Sequence, residues 1–410
     1  MKDKQELIPD LFRKEFAKMV AVISKLYGLQ HIELAEDIVS ETFLTATENW
    51  AAKGVPANPT AWLYAVAKQK TLYHFRRKKI FEEKIIPQIK VSPDTIEETK
   101  EMDFSTENIK DSQLEMMFAI CDPAIASEAQ IALALRVLCG FGIEEIAEAF
   151  FSNKDTVNKR LFRAKEKLRA EKVQLEMPPE KEISSRLDNV LHIIYLLFNE
   201  GYYSTTQNEI LRKDFCMEAL KLGLMLTDYS KTNLPKTNAL IALMSFHASR
   251  LDARKNRGND IILYEDQNEN LWDSGLIEQG IHFLNLSAQG DMLSSYHLEA
   301  GVAFWNCQKE DTLEKREAIL HHYNLLLEVN YSPGVALNRV YALYKARGKE
   351  IALVEAEKLN LPINHFYFTL LGELYGGVDN EKAKQNFEKA LLLAKTESER
   401  QIIKLKMENI

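Results

Sequence analysis

The chain has 410 residues, of which 46% are hydrophobic, 27% charged and 9% aromatic, and its formal net charge is −8. That length and composition fit two or three soluble domains with sizeable cores. They exclude a wholesale polyanion binder, while a local basic patch stays open because charge must be read by segment.

Other function classes fall away on residue types. Cys121, Cys139, Cys216 and Cys307 stand far apart with no C-x-x-C pair, a pattern of buried thiols in a reducing cytoplasm rather than of a disulfide framework. The nine histidines show no metal-ligand spacing, and neither a metal nor any other cofactor is expected. The N-terminus "MKDKQELIPDLFRKEF" lacks the apolar core of a signal peptide. "VLHIIYLLF" is too short to span a bilayer, so no membrane partner is expected.

Apolar residues recur at helical spacing almost throughout, no convincing strand pattern occurs, and Gly (16) and Pro (11) are scarce. The expected class is all-α. A first helical domain covers 7–80. Inside it "NPTAW" reads as a helix start, with Asn58 as N-cap and Pro59 at the first helical position. The helix that follows, "AWLYAVAKQKTLYHFRRKK" (61–79), carries six basic and no acidic residues, threaded with Trp62, Tyr64, Tyr73 and Phe75. A nucleic-acid surface, a membrane-surface helix and a plain solvated face all compete for it. A membrane helix needs a broad apolar face. Leu63, Val66, Ala67 and Leu72 are better used in a bundle core, whereas rings beside cations suit stacking on unpaired bases.

Residues 81–112 read as an acidic linker: the stretch 81–115 holds ten acids against four lysines, with few apolar residues to pack. A second compact domain follows at 113–172. In "IEEIAEAFFSNKDTVNKRLFRAKEKLR" (143–169), a short helix turns Ile143, Ile146, Ala147 and Phe150 inward. After a tight turn, with Asn153 as N-cap, a longer helix turns Val157, Leu161, Ala164 and Leu168 inward. Lys154, Asn158, Lys159, Arg163 and Lys167 then face out, and Lys154 to Arg169 hold seven basic residues against two acids. Such a pair matches helix-turn-helix geometry, whose second helix enters a major groove. The plainer alternative is a surface helix laced with i,i+4 charge pairs.

"EMPPEKE" (176–182) marks a hinge, and 180–410 form a helical extension. Phe368, Leu371, Gly372, Tyr375, Ala383, Phe387 and Ala390 follow the tetratricopeptide pattern. Leu337 and Tyr341 stand 34 residues before Leu371 and Tyr375, the length of one repeat. In "LLFNEGYYST", Asn199 and Glu200 interrupt an apolar helix that Gly201 is expected to end. With no partner acid, nucleophile or metal cluster, a buried polar network is the expected role rather than catalysis.

"LAEDIVSETFLTA" (34–46) followed by "AWLYAVAKQKTLYHFRRKK" resembles region 2 of bacterial extracytoplasmic-function sigma factors, and 143–169 resembles their region 4. "LDNVLHIIYLLFNEGYYST", "ILYEDQNENLWDSGLIEQG" and "PGVALNRVYALYKARG" resemble the subgroup with a tetratricopeptide-like C-terminal extension. The resemblance implies a non-enzymatic, cytoplasmic alternative sigma factor. Such a protein binds core RNA polymerase, recognises and opens promoter DNA, and is regulated by its extension through contact with the sigma domains or by a regulatory protein partner. It places polymerase docking at Glu36, Asp37, Glu41 and Phe43. It places DNA contacts at Trp62, Lys68, Gln69, His74, Arg76 and Arg77, and at Lys154, Asp155, Thr156, Asn158, Lys159 and Arg163. Trp62 serves the core equally well, and Thr156 serves a cap. By the same resemblance the acidic linker threads polymerase channels. Tyr73 stands where many relatives carry Asp, and Phe151 where they carry a small turn glycine. Two other readings remain: a helix-turn-helix regulator independent of polymerase, with a helical-repeat sensor domain, and a scaffold built on the repeats.

Overall fold

The structure, a computed structural model, describes residues 4–85, 102–150, 152–202, 209–254, 262, 264–290, 292–394 and 397–408. Among the described residues there are helices and turns and no strand, as the helical periodicity requires. The chain divides into two compact units, Met1–Thr232 and Asn233–Ile410.

The first unit opens with α1 (Lys4–Tyr27), α2 (Ile32–Lys53) and α3 (Pro59–Ile85), followed by α4 (Thr106–Ile120) and α5 (Ser127–Leu133). α5 runs on into a π-helical segment, Ala134–Leu138. Then come α6 (Ile143–Ala149), α7 (Lys154–Ala170), α8 (Glu180–Tyr202) and α9 (Glu209–Met225). α1 is the central post: its fully buried Phe16, Met19 and Val20 pack where α2, α3, α4 and the π segment converge. Both expected N-caps form. Asn58 Oδ1 accepts from Ala61 N at 3.0 Å, and Asn153 Oδ1 from Thr156 N at 2.8 Å. Each cap is worth about 1 kcal/mol.

Three elements differ from the sequence reading. Of the expected linker, 86–101 lie outside the described residues, but α4 begins at Thr106, inside the acidic stretch. Met102 and Ile109 are buried there, and Phe104 stacks on Tyr64 at 4.6 Å. A few well-spaced apolar residues suffice to seat an acidic segment on a ready-made core. Second, α8 and α9 follow the expected hinge yet pack within the first unit. Arg186 Nη2 donates to Phe118 O at 2.9 Å and pairs with Asp122 at 3.1 Å. Asn189 donates to Cys121 O and Gln130 Oε1, and Phe215 meets Phe141 edge-on at 4.6 Å. Third, Gly201 does not end α8, which continues through Tyr202. A Cβ there would lie 2.6 Å from Arg212 O and 2.8 Å from Cys216 Sγ, so the glycine is needed for the close approach of α9. Glu200 is half-buried, and burial, helped by Glu128, pushes its carboxyl up; the polar network docking α8 runs through Arg186 and Asn189 instead.

The second unit contains α10 (Pro235–Ala248), α11 (Ser274–Ser287), α12 (Ser295–Trp305), α13 (Leu313–Val329), α14 (Pro333–Arg347), α15 (Lys349–Leu359), α16 (His365–Tyr375), α17 (Asn380–Leu393) and α18 (Glu397–Glu408). Consecutive helices pack on one another. In the α16–α17 pair Leu371, Tyr375, Ala383, Phe387 and Ala390 are buried, and a Cβ on Gly372 would lie 2.6 Å from the Phe387 ring. Of the residues one repeat-length earlier, Leu337 is buried and Tyr341 is partly exposed. No described helix is long and apolar enough to cross a membrane.

Candidate nucleic-acid and partner interface

The outer face of α2 is set by its register. Ala35, Ile38, Val39, Thr42 and Phe43 turn inward, leaving Asp37, Ser40, Glu41, Leu44 and Glu48 exposed. Leu44 is 60% exposed, and with Asp37 and Glu41 at spacings of seven and three residues it forms an acid-flanked apolar knob. Sequence reasoning missed Leu44, although its helical spacing from Glu41 was visible. Lys70 of α3 pairs with Glu41 at 3.3 Å. Two of the four expected docking residues face the other way: Phe43 is core, edge-on to Phe12 at 5.0 Å, and Glu36 is buried.

Glu36 anchors an ion cluster that ties α2 to the second helical domain. Its Oε1 accepts from Arg136 Nε at 2.8 Å, and its Oε2 accepts from Lys165 Nζ. Arg136, in the π segment, also donates to Phe141 O at 3.1 Å and lies over the Phe16 ring. Nearby, Arg169 pairs with Glu33, and its Nε donates to Gln30 O at 3.2 Å. Arg13 pairs with Glu145 and covers the Phe141 ring at 3.8 Å. None of these partners was foreseen. Lys165 had one local signal, since it borders the inward stripe of Val157, Leu161, Ala164 and Leu168, all of which are buried.

On α3 the basic segment sorts itself by burial. Tyr64 donates to Glu15 Oε2 at 2.6 Å, and Phe75 stacks on Tyr27 at 3.6 Å. Trp62 is half-buried and meets Trp50 edge-on at 5.4 Å. Tyr73, at 66% exposure, is the ring this segment offers to solvent, with His74, Arg76 and Arg77 exposed beside it. Gln69 is exposed, and Lys68 is half-buried near Asp103. The structure thus corrects the picture of four stacking rings: three are paired within the fold because the helix needs them to seat its inner face.

On α7, Lys154, Asp155, Thr156, Asn158, Lys159 and Arg163 are all exposed. Lys154 pairs with Glu144 across the turn. Thr156 gives its backbone N–H to the Asn153 cap. Phe162, 59% exposed, stands beside Arg163. Phe151 lies outside the described residues. One helix therefore shows two faces: an exposed cationic outer face, on which Lys154 pairs with Glu144, and a flank clamped to the α1–α2 segment through Lys165 and Arg169.

Comparison with known proteins bears on the N-terminal helices and on a segment that runs from the first unit into the second. Residues 11–80 match the Sigma-70 region 2 family, and residues 186–288 match a family of unknown function, DUF6596. A protein of Rhizobium meliloti (strain 1021), described as uncharacterized, is 28% identical over 402 residues, covering 96% of this chain and 94% of its own. No solved structure matches. The matched segment 11–80 spans the packed helices α1–α3, with the exposed face of α2 and the basic end of α3. Residues 11–80 are thus similar to Sigma-70 region 2, a likeness that covers the packed helices α1–α3 and not the rest of the chain.

Proposed function

We propose that the protein is a cytoplasmic alternative sigma factor of the extracytoplasmic-function type. It docks on core RNA polymerase through Asp37, Glu41 and Leu44 and reads promoter DNA with two elements. At one, Tyr73, His74, Arg76 and Arg77 hold an opened strand: stacking supplies about 1–3 kcal/mol per base, against a few kcal/mol for each unstacked step. At the other, Lys154, Asn158, Lys159 and Arg163 face the major groove of the more distal element. The observation that carries this reading is the Sigma-70 region 2 match over 11–80, since a plain DNA-binding regulator has no use for that domain. The clamped flank of α7 adds a closed resting state. Separating the two DNA elements along a promoter requires Lys165 and Arg169 to leave Glu36 and Glu33, a step that polymerase docking on α2 favours. The close α16–α17 approach at Gly372 supports a tetratricopeptide-like second unit, which regulates the first by intramolecular contact or through a protein partner.

The test is co-migration of the purified protein with core polymerase at low salt, followed by promoter-specific transcription in vitro. Absence of core binding removes the sigma reading, and DNA binding without core binding leaves the polymerase-independent helix-turn-helix regulator. Truncation after Thr232 changes transcription if the second unit regulates; unaltered transcription removes that role.

A further inference from the structure

The second unit contains a cavity of about 350 Å³ between the loop at Tyr264–Glu265 and helices α12, α13 and α14. We propose that it is a binding site for a small organic anion with a planar apolar body, of the aryl carboxylate class, held by Lys315 and Lys309.

Shape and lining set the body of the ligand. The rings of Tyr264, Tyr323 and Tyr341 and the side chains of Val302, Ile319 and Ala342 make apolar walls. Most of the lining surface is apolar, although polar and charged residues, Asn306 and Asn338 among them, outnumber these six. The volume equals that of roughly a dozen waters at about 30 Å³ each, at the low end of small-molecule sites. That is room for a one- or two-ring body and its acid group.

Charge sets the head group. Four cations, Lys309, Lys315, Arg316 and Lys345, share the cavity with two acids, Glu265 and Asp311. Both acids are already engaged: Asp311 takes a two-pronged contact from Arg316 at 2.8 and 2.6 Å, and Glu265 accepts from Lys345 at 2.7 Å. The remaining two ammoniums meet neutral oxygens among the described residues. Lys309 donates to Gln267 O, and Lys315 donates to Tyr264 Oη at 2.9 Å and to Gln308 O. Lys315 is 4% exposed, and its third N–H remains for a ligand. Behind the Tyr264 wall the buried Arg250 guanidinium lies over the Tyr264 and Trp272 rings, which raises the positive potential further. Burial pushes the Lys315 ammonium below the ordinary lysine value; Asp311 and Cys307 oppose the shift, and Arg250 and Lys309 add to it. A buried cation hydrogen-bonded only to neutral oxygens is incompletely compensated, and an incoming anion reduces that cost. The apolar majority of the lining selects an organic anion over a bare inorganic one.

The site does not rest on the sigma reading, because binding is measured on the purified full chain with neither polymerase nor DNA present. Trp272 lies 6.4 Å from the Tyr264 ring and 5.9 Å from Lys309 Nζ, so its fluorescence reports occupancy. The probes are benzoate, 4-hydroxybenzoate, phenylacetate and indole-3-acetate, with benzyl alcohol and inorganic phosphate as the uncharged and the ringless arms, titrated by calorimetry and fluorescence. At least one aryl carboxylate binds saturably at one site per chain, and Lys315→Met weakens it by about ten- to a hundredfold, the worth of a charge-assisted contact. Lys309→Gln, on the more open side, weakens it without touching the buried lysine, which guards against misfolding of the first variant. Equal binding of benzyl alcohol overturns the charge argument, and equal binding of phosphate overturns the apolar body. Failure of all four carboxylates to bind, or binding unchanged in both variants, overturns the site.

Discussion

Lys165 in the first unit and Lys315 in the second are 7% and 4% exposed, so both ammoniums have left bulk water. Their partners differ. Lys165 meets the Glu36 carboxylate, which Arg136 also holds, while Lys315 meets a phenol and a backbone carbonyl. The first is a closed ion cluster that ties two segments together and has a large cost of rupture. The second is an ion whose desolvation is incompletely offset, left facing a cavity. Burial alone therefore does not tell a structural lysine from a ligand-binding one; the charge of the nearest acceptor does.

The comparison breaks most visibly at Glu36. Glu36→Leu leaves Lys165 buried and Arg136 half-buried without their carboxylate, and the first unit loses roughly 3–5 kcal/mol in urea unfolding. The triple variant Glu36→Leu, Arg136→Met, Lys165→Met recovers most of that loss, because the cost lies in stranded charge rather than in the absence of the pair. A triple variant as unstable as the single one would mean that shape, not charge, holds the cluster.

A second test separates the two faces of α7. Arg163 is exposed and Lys165, two residues on, is buried. Arg163→Ala keeps stability within about 0.5 kcal/mol. Under the proposed sigma function it weakens promoter binding by roughly 1–3 kcal/mol if the guanidinium reads a base. An equal loss on every sequence marks a phosphate contact instead.

How legible these features were depends on the range of the interaction behind each. The inward register of Val157, Leu161, Ala164 and Leu168 and the caps at Asn58 and Asn153 are local, so helical period and capping chemistry sufficed. The match of 11–80 to region 2 likewise follows from contiguous sequence. Glu36 read as a surface acid because its partners stand 100 and 129 residues away and no period encodes them. Gly201 read as a helix stop for the same reason: what it accommodates is α9, not its own helix. The cavity was invisible, since Tyr264 and Lys315 are 51 residues apart and each alone is unremarkable.

Alkaline pH sharpens the contrast at Lys315. Its ammonium faces Asp311 and Cys307, which favour charge, and Arg250 and Lys309, which oppose it; burial, the largest influence, also opposes it. Tyr264, pushed up to about 12 by burial, stays protonated through this window. With the native value depressed, the lysine loses its proton in the folded state before it does so in the unfolded chain. The Lys315 contribution to the stability of the ligand-free second unit therefore grows as pH rises from that depressed value towards the ordinary ~10.4. Cys307 and Tyr341, both pushed up by burial, act the other way, so the sign is read as the difference between the native chain and Lys315→Met. Carboxylate affinity moves the other way, falling by up to about tenfold per pH unit above the Lys315 value. Calorimetric titration between neutral and alkaline pH checks both signs.

The smallest expected effect is the stability change of Lys315→Met without ligand. Methionine keeps the packing of the methylene stem and removes a desolvated charge, so the two contributions oppose each other. The substitution strands little, since Tyr264 Oη still donates to Gln308 O at 3.1 Å and the carbonyl keeps a partner. Unfolding of the second unit in urea should shift by less than about 1 kcal/mol in either direction. Lys165→Met, by contrast, strips one donor from a buried carboxylate and costs the first unit more than that, about 2 kcal/mol with Arg136 still in place. Equal losses at the two lysines would show that Lys315 is as structural as Lys165, and that its neutral acceptors suffice for a buried ammonium.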